Sequence, residues 1–248
     1  MSELFLIRHT TPAVNKGICY GQTDLDITDS FHEEADLIRR HLPDNIQSVH
    51  SSPLRRCALL AEHLFPSRPI VLHVDLMEIH CGEWEMKSWD ELPKEVIDPW
   101  MKDFVRVRIP GGESYLDLHE RVTRCFEGIR AEKDTNAFSV EADSGASRDE
   151  VDPAAGGAEV EPGAKGQVDP GAGRIAAGST VIVAHGGVIR SILSYITDTP
   201  LIDSFKVFSL HYGCVIRVFE AGGVLQHEIL SNSAPKEKEQ HKPSGYYK

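Results

Sequence analysis

No stretch of the 248 residues approaches the ~18 consecutive apolar positions that a membrane-spanning helix needs. The first residues, Met1-Ser2-Glu3 before Leu4-Phe5-Leu6-Ile7, carry an early acid and only four apolar residues in a row, unlike a signal peptide. Cysteine is scarce: Cys19, Cys57, Cys81, Cys125 and Cys214 are an odd count without a CxxC pair. That argues against a disulfide framework or a thiolate zinc site and makes a reducing cytoplasm the default compartment. Bases are outnumbered, 26 against 38 acids, for a net charge of −12. Such a chain repels a nucleic-acid backbone, so neither nucleic acid nor membrane is expected as a partner.

Half of the excess negative charge lies in residues 134–178, which hold nine acids and three bases. Eight Gly, ten Ala and three Pro fill 21 of its 45 positions, and Phe138 is its single aromatic. Val151-Asp152-Pro153, Val160-Glu161-Pro162 and Val168-Asp169-Pro170 recur as degenerate units. A calcium-binding β-roll would need a GGxGxD pattern, which is absent. The composition buries too little apolar surface to offset its ordering entropy. The expectation is one domain over residues 1–231, interrupted by a disordered acidic insertion at 134–178, with a disordered polar tail at 232–248.

What remains alternates strands and helices. Leu4–Ile7 and Thr180–Ala184 are short all-apolar runs, as buried parallel strands require. Further strands are expected near Ile46–Ser51 and Ile70–Val74, with a final hairpin of Cys214–Phe219 and Val224–Ile229. Ser30-Phe31-His32-Glu33 fits a capping box ahead of Phe31, Ala35, Ile38 and Leu42 at helical spacing. Ser52-Pro53 precedes a helix over Leu54–Phe65. Ser114 opens another, carrying Leu118, Val122, Phe126 and Ile129, and Val188–Ile196 reads as a fourth. The fold class is α/β: three layers, with a mostly parallel central sheet and helices on both faces.

Ligands in such sheets collect at the carboxyl ends of the strands. Leu4–Ile7 runs into Arg8-His9, and Thr180–Ala184 runs into His185-Gly186-Gly187. Either histidine alone is as well explained by a structural hydrogen bond. Two on one sheet edge, one beside an arginine and one at a Gly-Gly helix entry suited to anions, favour a phosphate site. Arg55-Arg56 places two cations in a helix first turn, against the helix dipole; they are either functional or a solvated pair.

Six blocks carry a resemblance. They are Leu6-Ile7-Arg8-His9-Thr10-Thr11-Pro12, Gly17-Ile18-Cys19-Tyr20-Gly21-Gln22-Thr23-Asp24, Ser51-Ser52-Pro53-Leu54-x-Arg56, Glu78-x-x-x-Gly82-x-Trp84-Glu85, Pro110-Gly111-Gly112-Glu113-Ser114 and Ala184-His185-Gly186-Gly187-Val188-Ile189-Arg190. In this order they resemble the histidine phosphatase (phosphoglycerate mutase-like) superfamily, over residues 4–130 and 180–230. The segment from Pro12 to Asp24 is most similar to the α-ribazole phosphatases, which dephosphorylate the lower-ligand nucleotide of cobalamin.

The resemblance implies a metal- and cofactor-independent phosphomonoesterase acting on a small phosphorylated metabolite. His9 would be the nucleophile and Glu78 the general acid, then base. Arg8, Arg56 and His185 would hold the phosphoryl oxygens; Asn15, Thr23 and Gly186 would line the phosphate pocket. Phosphoglycerate mutase and a catalytically silent binding protein are the alternatives, and a homodimer is compatible with the sequence. Glu113 is a competing acid. A metal site would instead have to join His80, near Glu78, with His9 and His185, against the metal-free reading, and Trp84, Trp89 and Trp100 are either base-stacking or packing residues. Cys81 stands where relatives usually have an aromatic, Met86 where they usually have glycine, and Asp26-Ile27 where Pro-Leu is common.

Overall fold

A computed structural model describes residues 3–142, 178–233 and 242–246. The elements in chain order are β1 (Leu4–Arg8), α1 (Phe31–Arg39), β2 (Ile46–Ser51), α2 (Arg55–Leu64), β3 (Ile70–Leu72), α3 (Lys94–Lys102), α4 (Tyr115–Ala142), β4 (Ser179–Ala184), α5 (Gly186–Thr197), α6 (Ser204–Val207), β5 (Val215–Ala221) and β6 (Val224–Ser231). One six-stranded sheet runs in the order β3-β2-β4-β1-β5-β6. The β3, β2, β4 and β1 neighbours are parallel; β5 and β6 continue the sheet antiparallel.

Strand alternation divides the core. Leu4 and Leu6 of β1 face a cluster with Leu118, Val122 and Phe126 of α4 and Val188 and Ile192 of α5. Phe5 and Ile7 face the opposite cluster, with Phe31, Ala35 and Ile38 of α1 and Cys57, Leu60 and Ala61 of α2. Successive side chains on a strand point to opposite faces, so a fully apolar β1 requires helices on both. This is the expected three-layer α/β architecture.

Several local expectations are corrected. The capping box at Ser30 does not form. The Ser30 hydroxyl donates to Glu34 Oε1 at 2.6 Å, and Glu34 Oε2 accepts the Thr11 amide at 2.8 Å. The side chain is spent on tying α1 to the loop after β1. Helix α2 begins at Arg55 with Leu54 as its cap, so Pro53 lies outside it. Strand β3 ends at Leu72, where the chain turns into a 3-10 helix over Val74–Leu76. Helix α3 is masked in the sequence by Pro99, which sits inside it; its buried Ile97 packs into a cluster with Trp84 and Trp89.

The backbone of α4 continues to Ala142, beyond the expected start of the insertion. The rest of that insertion, 143–177, and tail residues 234–241 and 247–248 lie outside the described residues. Within the tail, the Ser244 amide and hydroxyl donate to Asp90 at 2.6 and 2.8 Å. No helix among the described residues is long and apolar enough to cross a membrane.

Candidate active site

Strands β1 and β4 are parallel neighbours with Arg8 opposite Ala184. Their next residues, His9 and His185, therefore emerge side by side at the same sheet edge. The His9 amide donates to the Ala184 carbonyl at 3.0 Å, and the two imidazole centres are 5.1 Å apart.

His9 is 2% exposed. Its Nδ1 lies 2.7 Å from the Thr10 carbonyl oxygen, which only accepts. The proton is therefore assigned to Nδ1, leaving a lone pair on Nε2. Burial, then the charges of Arg56 and Arg8, hold its pKa well below the ordinary histidine value. His185 is fully buried, with Nε2 2.8 Å from Ser52 Oγ and the Cys57 thiol beside its ring. Burial, Arg56 and His9 depress its pKa as well.

Arg8 donates from Nη1 to the Leu210 carbonyl at 2.9 Å. Arg56 has no exposed surface. Its Nη1 and Nη2 donate to the carbonyls of Thr23 and Gly21 at 2.9 and 2.6 Å. Its Nε is buried with no partner among the described residues. Arg55, one residue earlier, points out to Asp26 at 3.1 Å. The face of α2 that buries Arg56 continues through Leu60 and Leu64, an i, i+4 pattern that marks the inward arginine.

Glu78 joins the site from the loop after the Val74–Leu76 turn. Its Oε2 accepts the Gly187 amide at 3.0 Å, and its Oε1 accepts the Ile79 amide at 2.9 Å. The anion expected at the N-terminus of α5 is thus this chain's own carboxylate. Only glycine permits the approach: a Cβ on Gly187 would lie 2.2 Å from Glu78 Oε1. The competing acid, Glu113, is committed elsewhere. It pairs bidentately with Arg121 at 2.8 Å and accepts the His80 amide at 2.9 Å.

Two further residues organise the site. Arg121, on α4, donates to the carbonyls of Asp75, Met77 and Glu78 and so fixes the segment that presents Glu78. Glu85 accepts the amides of Gly21, Gln22, Thr23 and Cys81 and the Thr23 hydroxyl. Burial raises its pKa, but these donors outweigh that and hold it below the ordinary carboxylate value. They also fix the loop whose carbonyls hold Arg56. Arg121 lies outside every motif block; Glu85 closes the Glu78–Glu85 block, but its partners in the Gly21–Thr23 loop come from a distant segment.

A cavity of about 320 Å³ opens over these groups. Arg8, His9, Asn15, Glu78 and Gly186 line it; Arg56 and His185 are fully buried and are not among its lining residues. Thr23 does not line it, because its hydroxyl is taken by Glu85 at 2.5 Å and its carbonyl by Arg56. Its expected place in the phosphate pocket is therefore corrected to a supporting one. The outer wall is apolar and aromatic, including Ile18, Trp89, Trp100, Phe104 and Phe205. Trp84 is buried against Trp89 and Trp100 instead of facing the cavity. Lys16 and Arg190 line the cavity and Arg55 does not. His80 accepts the Gly82 amide with Nδ1. Among the described residues, no three His, Cys, Asp or Glu side chains are grouped to hold a metal ion.

The profile of the histidine phosphatase superfamily (branch 1) matches residues 4–148, more than half of the chain. A phosphoserine phosphatase 1 from Hydrogenobacter thermophilus is 29% identical over 141 residues, 52% of this chain; the match spans 65% of that relative. Among solved structures, the α-ribazole phosphatase from Shigella flexneri superposes with a TM-score of 0.69 at 20% identity, over 93% of this chain and 96% of that one. A phosphoserine phosphatase H9A mutant from Entamoeba histolytica, in complex with phosphoserine, gives 0.65 at 18% identity, over 94% and 96%. At these identities the structural likeness establishes the fold alone.

Proposed function

This chain belongs to the histidine phosphatase superfamily, and we propose that it hydrolyses phosphomonoesters through a phosphohistidine on His9. One observation carries the reading. A buried imidazole, kept neutral and fixed through Nδ1 to the Thr10 carbonyl, shares a cavity with an arginine and a carboxylate.

The Nε2 lone pair attacks phosphorus in line with the leaving oxygen. Arg8 and Arg56 neutralise the charge that builds on the equatorial oxygens, and His185, a neutral imidazole, adds a hydrogen bond. The partnerless Nε–H of Arg56 is a ready donor for one of them. Glu78 gives its proton to the departing alkoxide, then takes one from the water that attacks the phosphohistidine. Inorganic phosphate and free His9 result. Asn15 and the Gly186 turn frame the phosphoryl group.

The substrate class this cavity favours is a nucleotide-like phosphomonoester such as α-ribazole 5′-phosphate. The wall of Trp89, Trp100, Phe104 and Phe205 offers flat apolar surface for a base. Lys16 and Arg190, which also line the cavity, support a second reading, a phosphorylated hydroxy or amino acid whose carboxylate they would bind. Measuring kcat/KM for α-ribazole 5′-phosphate, phosphoserine and 3-phosphoglycerate in one buffer decides between them. At least about a tenfold preference for the first is expected, roughly 1.4 kcal/mol of differential transition-state binding. Equal or reversed values remove the nucleotide reading; no turnover of any of them, nor of p-nitrophenyl phosphate, removes the hydrolase.

A further inference from the structure

The proposed chemistry needs Arg56 against a phosphoryl oxygen, yet its side chain has no exposed surface. Two tyrosine rings lie against the cations of the pocket. Tyr20 has its ring centre 5.6 Å from Cζ of Arg56. Tyr212 has its ring centre 4.1 Å from Cζ of Arg8 and 5.5 Å from the centre of the His9 ring. Their phenolic oxygens are 2.7 Å apart, joining positions 192 apart in sequence. Both rings are half-buried and line the cavity.

We propose that the Tyr20–Tyr212 pair is a gate over the phosphoryl subsite, closed by its hydroxyl–hydroxyl bond and opened when a phosphoryl group enters. The gate rests on the hydrolase reading above. Entry exchanges ring contacts with Arg8 and Arg56 for charge-assisted hydrogen bonds, which are stronger. Opening is a rotation of side chains, because the backbone beside each ring is anchored. The Gly21 carbonyl accepts from Arg56, and a Cβ on Gly21 would lie 1.8 Å from the Ile79 carbonyl oxygen. The Gly213 amide donates to the His9 carbonyl at 3.1 Å. A closed gate reduces apparent affinity by the fraction of molecules that are open. The tyrosine pair therefore sets how tightly any phosphate ligand is held.

Orthovanadate binding to wild type, Tyr20→Phe, Tyr212→Phe and the double variant tests this. Each single variant keeps its ring and loses the same hydrogen bond. Each should bind orthovanadate about two- to tenfold more tightly, the range that one net hydrogen bond spans. The double variant should gain no more than either single one, since both single changes break the same bond. Weaker binding makes the hydroxyls phosphate ligands, and unchanged binding or additive gains make them independent; each of these overturns the gate. A wild type that turns over p-nitrophenyl phosphate and binds orthovanadate, with variants that gain nothing, removes the gate alone. A wild type that does neither removes the hydrolase reading and the gate together.

Discussion

The amide of Gly187 donates to Oε2 of Glu78 across 3.0 Å, which ties the loop after β3 to the first turn of α5, 109 positions away. The N-terminal turn of a helix favours a negative charge, so the bond holds the carboxylate at the cavity wall. Glu78 and His185 are thereby set by the same short stretch of backbone.

The proposed acid role of Glu78 has a kinetic signature. Glu78→Gln should lower kcat by ~10²–10⁴ with an alkyl phosphate, and by much less with a leaving group acidic enough to depart unprotonated. Gly187→Ala pushes a methyl group onto the carboxylate and should copy this dependence in an intact fold. Glu113→Gln should instead lower stability by about 1–3 kcal/mol through its broken pairing with Arg121, read as a shifted urea midpoint. If the leaving-group dependence follows Glu113, the acid is misassigned.

His9→Ala should abolish turnover of p-nitrophenyl phosphate while circular dichroism and the unfolding midpoint stay close to wild type. Labelled substrate should leave an acid-labile, base-stable adduct on wild type and none on the variant. Label retained on the variant would place the nucleophile elsewhere.

Stability should fall on mild acidification. His9 and His185 are held well below the ordinary histidine value, chiefly by burial. His50, buried beside His73, is lowered to about 4. Unfolded histidines take up protons near 6.5, so below that pH the unfolded chain binds more protons than the folded one. Each buried histidine then removes up to ~1.4 kcal/mol of stability per pH unit until its folded pKa is reached. Urea midpoints at pH 7, 6 and 5 should decline in that order; a flat series contradicts it. Because His9 stays neutral, the acid limb of kcat/KM should lie below pH 6.5.

Met86 occupies the left-handed region, at φ 62°, and is 47% exposed. A side chain there costs about 1–2 kcal/mol. Glycine relieves this but adds entropy to the unfolded chain, roughly 0.5–1 kcal/mol. Met86→Gly should therefore stabilise by about 0.5–1 kcal/mol, seen as a higher urea midpoint with unchanged slope. A lower midpoint would mean that the methionine packs against something worth more than its strain.

The parts of this protein that its sequence determines are those set by short-range periodicity. The apolar runs Leu4–Ile7 and Thr180–Ala184 demand a sheet covered on both faces, and the residues after each run must emerge at one edge. Arg8-His9 and His185-Gly186 are legible for that reason. The inward turn of Arg56 is legible too, from Leu60 and Leu64 on the same helix face. The tertiary structure alone decides which carboxylate lines the cavity, because Glu78 and Glu113 both sit in loops without periodicity and are sorted by Gly187 and Arg121. It alone moves Thr23 out of the pocket and onto Glu85, and brings Tyr212 to Tyr20. A polar side chain pairs with whatever partner lies within about 3 Å, and for these residues that partner comes from a distant segment, whose position only the packed sheet and helices supply.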